Sequence, residues 1–485
     1  MIPFYLDNST RIMELSKYYS YHLDTRLRIG PVPTVALALL AGVVLAWGIV
    51  FHSPFITLVA LIELSLAIAI FNRPKWGLLA FVIVANLLPF AVSPVKLFGF
   101  GPTFIDIVLT ATLTGWLFWA FYHRRPISGG GFGLLILLYL GFALLSFVLG
   151  LTYSISPERF RLFLKSINST LLFFSVINCV QSRDELKKLV VGLILGGMAA
   201  SLIALAILAL PDSTAIEILS SLGPLGYPTG SGVLRPIADT EIIRAIGTSI
   251  DPNVLGGLLM MGSAMAAGQL IAQKPVLDRR LLGVALMVAV AGLLLTYSRS
   301  ALGGLVIGVA VIGIYRDRRV LLAMIVAAML LPILPQFDIL LSRLQSGLTF
   351  QDRAAAMRLD EYANAFKTIA AYPWFGIGFG DTPSIDLFLG VSSIYLLIGQ
   401  EMGLVGLSSF LAILALLAWK IVAAIGAAKD EEIRGVLLSL AAAMLAAASA
   451  GLLDHYYVNI VFPHMVGLFW FYIGLSVVAA RLATE

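Results

Sequence analysis

Three arginines of this chain stand where fixed positive charge would do chemistry. Arg244 opens the stretch Arg-Ala-Ile-Gly-Thr-Ser-Ile-Asp-Pro-Asn (244–253), just ahead of a helix start. Arg299 lies in Thr-Tyr-Ser-Arg-Ser-Ala-Leu-Gly-Gly (296–304), which reads as a tight turn between two helices. Arg358 lies on a helix expected from Asp352 to Ala371, upstream of Tyr-Pro-Trp-Phe-Gly-Ile-Gly-Phe-Gly (372–380). A guanidinium keeps its charge in a low-dielectric site, and its planar fork grips a phosphate or a carboxylate by two parallel bonds. The competing reading of any one of them is an arginine snorkelling at a helix end. His455, with Asp454 beside it, offers either a general base or a donor to a phosphate, against the plainer reading of a hydrogen-bonded helix-end residue. The five histidines show no metal-ligand spacing. The single cysteine, Cys179, excludes an internal disulfide and a cysteine metal cluster. The glycine-rich run 376–380 reads as a turn that re-enters the membrane. There is no Walker loop and no HExxH.

The elements that must position these residues follow from composition. Of 485 residues, 60% are apolar and only 12% are charged. A soluble core of this size needs a larger charged coat, so an ordinary soluble enzyme, a secreted disulfide scaffold and a disordered chain are excluded. The fold class expected is all-α, a polytopic integral membrane protein of about 14 transmembrane helices. Apolar runs lie near 32–51, 54–71, 76–95, 103–122, 131–151, 162–180, 189–210, 252–272, 281–297, 301–315, 320–334, 391–419, 436–453 and 458–480. Residues 1–31 form a cytoplasmic N-terminal segment and 32–485 a single membrane domain. With the N-terminus inside, every short inside loop is basic and takes 21 of the 32 Lys and Arg residues, as the positive-inside rule requires. Both termini are then cytoplasmic. The net charge of +5 reflects these loops facing anionic lipid, not nucleic acid.

Two long extracytoplasmic loops remain, near 211–250 and 335–390. The other eleven bases, eight of them arginine, face outward or sit at outer helix ends. The second loop carries more acids than bases, so single arginines aimed into a cleft fit it better than a general anion-attracting surface. Glu63, Asp106, Lys165 and Glu401 fall inside expected spans, where an ionisable group needs a partner or a cavity. Asp106 is expected to pair with Arg159 or Arg161.

The order of these pieces resembles the O-antigen polymerase and O-antigen ligase superfamily, membrane glycosyltransferases of the GT-C kind. An arginine precedes Pro252-Asn253, a Ser-Arg-Ser turn follows at 298–300, and a helix with an arginine precedes the 373–380 glycine run. A helix reading Tyr395-Leu396 … Glu401-x-Gly403-x-x-Gly406 closes the series. The resemblance is best over about 235–410. It implies a glycan donor on polyprenyl pyrophosphate, a glycan or lipid acceptor, membrane lipid as surroundings, other envelope-polysaccharide assembly proteins as partners, and neither cofactor nor metal. Arg244, Arg299, Arg358, Arg159 and Arg161 would hold the pyrophosphate. Ser392 and Ser393 stand where ligases usually carry a His-Asn pair, which sets the polymerase ahead of the ligase. Proton transfer then falls to Asp386, His455 or Asp381. The expected place is the bacterial cytoplasmic (inner) membrane, with the active site on the extracytoplasmic side. A ligase or an O-oligosaccharyltransferase differs only in acceptor. The alternative from another class is a transporter or flippase for a lipid-linked glycan, which would be expected to show two-fold internal repeats and broken helices at the midplane. No such repeat is visible in the sequence.

Overall fold

A computed structural model describes residues 54–94, 101–150, 155–237, 240–333, 337–348, 353–380 and 391–485. The chain divides into two compact units, Met1–Leu61 and Ile62–Glu485. Within the first unit only 54–61 are described, as the opening turns of α1 (Pro54–Asn72). The segment expected at 1–31 and the span expected at 32–51 lie outside the described residues.

The second unit is all-helical among the described residues, with two isolated bridges and no strand. Its helices are α2 (Pro74–Leu87), α3 (Phe104–Tyr122), α4 (Gly133–Gly150), α5 (Pro157–Cys179), α6 (Arg183–Leu208), the short α7 (Asp212–Ser220), α8 (Pro252–Ile271) and α9 (Arg279–Leu295). Then come α10 (Arg299–Arg316), α11 (Arg319–Leu330), α12 (Phe337–Leu348), α13 (Arg353–Ala371), α14 (Ile394–Ala427), α15 (Glu431–Ala450) and α16 (Pro463–Thr484).

Nine of the described helices are long and apolar enough to cross a membrane: α3, α4, α5, α6, α8, α10, α14, α15 and α16. The protein is an integral membrane protein. Several expected spans shrink because local chemistry ends the helix before the apolar run ends. The run at 76–95 is helical only to Leu87, because Pro89 bars the residue before it from the helical region. The run at 320–334 yields α11, of 12 residues.

Helices α8 and α16 are buried along nearly their whole length, whereas α4, α6 and α14 leave most of theirs open to lipid. Small residues explain the close core. A Cβ added to Gly304 or Gly308 of α10 would lie 2.6 and 2.5 Å from the carbonyl oxygens of Ala446 and Ala442 on α15. Only glycine lets those two backbones approach, which is how helices gain packing energy where lipid removes the hydrophobic drive. Gln269 of α8 adds a polar tie. Its Nε2 donates to Ser439 Oγ on α15 (2.9 Å) and its Oε1 accepts from Val276 N (2.9 Å).

At one end of the unit, α15 starts on an acidic turn. Asp430 caps its N-terminus, and Glu431 and Glu432 follow. These acids meet Arg183, Arg316 (3.3 Å), Lys187 (3.1 Å) and Arg434, and nearby Lys75 meets Glu185 (2.5 Å). All five bases belong to the segments expected on the cytoplasmic side. Acids at a helix N-terminus also complement its dipole. The other end of α15 leads into 451–462, where Asp454 and His455 lie.

Candidate active site

The expected loop helix is present as α13, ending at Ala371 before Tyr372-Pro373. It is held at its side and at its end. The Tyr362 hydroxyl shares its one proton between the carbonyls of Leu452 (2.8 Å) and Ser392 (3.0 Å), while Glu361 Oε2 accepts from Ser392 N (2.9 Å). Arg358, half-buried, stands one turn before Tyr362.

The glycine-rich run that follows is a plug for a broken helix. Helix α14 is interrupted at Gly403, whose φ of 66° and ψ of −170° are open essentially to glycine alone. The break leaves backbone groups without helical partners, and the turn supplies them. Ile377 N and Gly378 N donate to the carbonyls of Gln400 and Glu401 (both 3.0 Å). In return, Leu404 N and Val405 N donate to the carbonyls of Pro373 (2.7 Å) and Trp374 (3.3 Å). A Cβ on Gly403 would lie 2.3 Å from the Trp374 carbonyl oxygen. The run 376–380 is thus a turn packed into the helix break. The break comes early in a 34-residue helix, not at its middle.

The turn that carries Arg299 is tied to the loop that carries Arg244. Arg244 Nε donates to Thr296 O (2.7 Å) and an Nη donates to Asn253 Oδ1 (2.8 Å). Ala245 N adds a bond to Leu295 O (2.9 Å). Asp251 caps α8 through Asn253 N and Val254 N, with Pro252 in the first helical position, where its missing N–H costs nothing. Tyr297, buried, takes a φ of 51°, an unusual conformation for a bulky residue, and this aims the 298–300 segment. Ser300 Oγ then reaches Asp454 Oδ2 (3.1 Å).

Asp454 is the hub. It is 6% exposed, accepts from Ser300 on α10, and accepts at Oδ1 from the backbone N of His455 (3.0 Å). Burial lifts its carboxyl above the ordinary carboxylate range. Neighbouring His455 and Arg358 oppose that shift, and Asp251 adds to it. Burial likewise raises the Tyr362 phenol, against the pull of Arg358. The elements bearing Arg244, Arg299 and Arg358 therefore adjoin at one place, around a residue that the sequence marked only as a neighbour of His455. Beneath it, Tyr457 Oη donates to Gly257 O (2.9 Å) and fixes the 451–462 connection to α8.

Arg159 and Arg161 lie elsewhere, on the first turns of α5, where Ser156 caps Arg159 N (3.2 Å) and Arg161 Nε donates to Pro157 O (3.3 Å). Arg159 is within electrostatic reach of Glu401, which lines a small cavity of about 20 Å³ with Tyr139, Ser166, Thr170, Phe379 and Trp470. The expected pairing of Asp106 with either arginine is corrected: its partner is Lys165, at 2.7 Å. Lys165 is one helical turn further along α5, on the face that packs against α3. Glu63 takes the Ser93 hydroxyl (2.6 Å). Asp381 and Asp386 lie outside the described residues. Ser393, at the expected His-Asn position, is the N-cap of α14.

Sequence reasoning missed the hub and its ties. Ser300, Glu361, Tyr362 and Asn253 are ordinary residue types in loops and turns. The usable signal for Asp454 was an acid placed directly after the long uncharged stretch 435–453.

Residues 283–411 match the family model described as O-Antigen ligase. That span covers the Arg299 turn, α13, the plug and the break in α14. No curated protein matches the chain. One similar solved structure is a chain from a work titled "Structural coordination of polymerization and crosslinking by a peptidoglycan synthase complex". It is 16% identical, with 72% of this chain and 98% of that chain covered and a TM-score of 0.39.

Proposed function

We propose, from the likeness of residues 283–411 to the O-antigen ligase and polymerase superfamily, that this protein is a membrane glycosyltransferase. It joins polyprenyl-pyrophosphate-linked oligosaccharide repeat units at the outer face of the bacterial cytoplasmic membrane, as an O-antigen or polysaccharide polymerase does. The observation that carries the reading is the meeting of three arginine-bearing elements at Asp454. In the transfer, the acceptor hydroxyl oxygen bonds to the anomeric carbon of the donor sugar. The bond from that carbon to the pyrophosphate oxygen breaks, and its electron pair leaves with the pyrophosphate. The hydroxyl proton passes to a base, for which Asp386, Asp381 and His455 are the candidates. Charge grows on the leaving group in the transition state, and fixed guanidiniums at Arg299 and Arg358 stabilise it more than they stabilise the ground state. Arg244 acts with them by holding the turn that carries Arg299.

The test is product analysis with purified protein in nanodiscs and a lipid-linked donor. Longer glycan on the polyprenyl carrier supports the reading. Donor that crosses the bilayer with no new glycosidic bond ends it in favour of a flippase. The description of the matched family favours a second reading, a ligase. Adding a lipid-anchored core oligosaccharide separates the two, because a ligase makes product only with that acceptor.

A further inference from the structure

We infer that His455 serves as a hydrogen-bond donor, through Nε2–H, to an anionic oxygen of the substrate, and not as the base. The inference rests on the transfer proposed above for the identity of that oxygen, a pyrophosphate oxygen of the leaving group. Val461 N lies 2.9 Å from Asn459 Oδ1, and a backbone N–H can only donate, so the amide atom facing it is the oxygen. The other arm of that amide, Nδ2, is a donor only, and it lies 3.2 Å from His455 Nδ1. Nδ1 must therefore offer its lone pair. A neutral imidazole carries one proton, so that proton sits on Nε2. A ring in this tautomer has no lone pair at Nε2 to take a proton from an acceptor hydroxyl.

The ring is held for the purpose. It stacks on Phe462 with centroids 6.3 Å apart and planes 12° from parallel. Its own backbone N donates to Asp454, and its carbonyl accepts from Val458 N (3.1 Å) and Asn459 N (3.0 Å). It is half-buried beside Asp454, which the Ser300 turn contacts and which lies within electrostatic reach of Arg358. A donor fixed beforehand needs no reorganisation as charge develops, which is where such donors act best. The proton of the acceptor hydroxyl then falls to a carboxylate.

The test uses the full chain in nanodiscs and reads both tautomer and turnover. In protein labelled with ¹⁵N-histidine, with the His455 signals assigned by their loss in His455→Gln, Nε2 is expected to be the protonated nitrogen. A proton on Nδ1 overturns the inference. Added farnesyl pyrophosphate is expected to shift the Nε2–H resonance, and no shift overturns the donor role. In glycan transfer, His455→Ala is expected to fall about a hundredfold. His455→Gln, which keeps an N–H donor but supplies no base, is expected to stay within about tenfold of wild type. If His455→Gln is as inactive as His455→Ala, His455 is the base after all. A wild-type protein that transfers no glycan ends the transferase reading, while the resonance measurements still decide the donor role.

Discussion

The two ends of α10 and α15 hold arginine in different ways. At one end, Arg183, Arg316 and Arg434 meet the acids of the first turn of α15, in side-chain pairs that remain a quarter or more exposed. At the other, Arg244 gives its guanidinium to a turn carbonyl and an asparagine oxygen, and Arg358 stands within electrostatic reach of the buried Asp454 carboxyl. The first end uses charge that water or lipid headgroups can replace. The second uses direction, because each bond fixes a loop relative to a helix. Exposed ion pairs contribute little to stability, whereas a buried polar group that loses its partner is costly. The contrast predicts that equal substitutions will have unequal effects at the two ends.

The largest difference is expected for lysine replacements. Arg299→Lys keeps the charge and loses the fork, so glycan transfer should fall about a hundredfold, while Arg316→Lys should leave it near wild type. Near-wild-type turnover in Arg299→Lys would make Arg299 a helix-end residue like Arg316, and the contrast would fail. Next comes the plug. Gly403→Ala forces a side chain into a glycine-only conformation against the Trp374 carbonyl. Strain of about 1–3 kcal/mol, with the clash added to it, should lower thermal stability and impair transfer together. Unchanged melting in that variant would show that the break tolerates a regular helix.

A smaller loss is expected from Tyr362→Phe, which leaves the Leu452 and Ser392 carbonyls without this donor. About 0.5–1.5 kcal/mol should go, read as a lower melting temperature, with transfer reduced because α13 is less firmly held. Asp454 gives a pH effect whose sign is fixed. Its folded-state carboxyl titrates above the ordinary range. The folded protein therefore holds a proton that the unfolded chain has already released, and stability falls as pH rises through that window. Asp454→Asn should flatten that slope, and an unchanged slope would assign it to other groups. The smallest effect belongs to the basic end. Glu432→Gln removes the partner of Lys187 and should cost no more than about 1 kcal/mol, less at high salt.

How much could be read from the chain depended on the range of the interaction. The helix expected at 352–371 appears as Arg353–Ala371, because a proline two residues on and a helical pattern act within a few residues. The 376–380 turn was legible as a turn. Its role as the partner of the α14 break was not, since that role depends on backbone groups more than twenty residues away. An apolar run measures solvent preference alone, whereas a helix also needs an uninterrupted backbone, which is why the run at 76–95 is helical only to Leu87. Asp106 shows the same limit in a side chain. Lys165 and Arg161 are one turn apart on α5, and only the packing of α5 on α3 selects Lys165.

The sequence by itself determined the solvent of this protein, its helical class and the residues from which a cationic site can be drawn. These follow from composition and from the cost of an unpaired backbone in lipid, which no tertiary detail alters. The tertiary structure decided which residues meet. It placed the arginine-bearing elements 235–253, 296–300 and 353–371 around Asp454, brought Arg159 within electrostatic reach of Glu401, and set the Asn459 amide against His455. Each of those outcomes is a direction or a distance of a few ångströms between segments far apart in the chain. Only the packed helices fix such quantities.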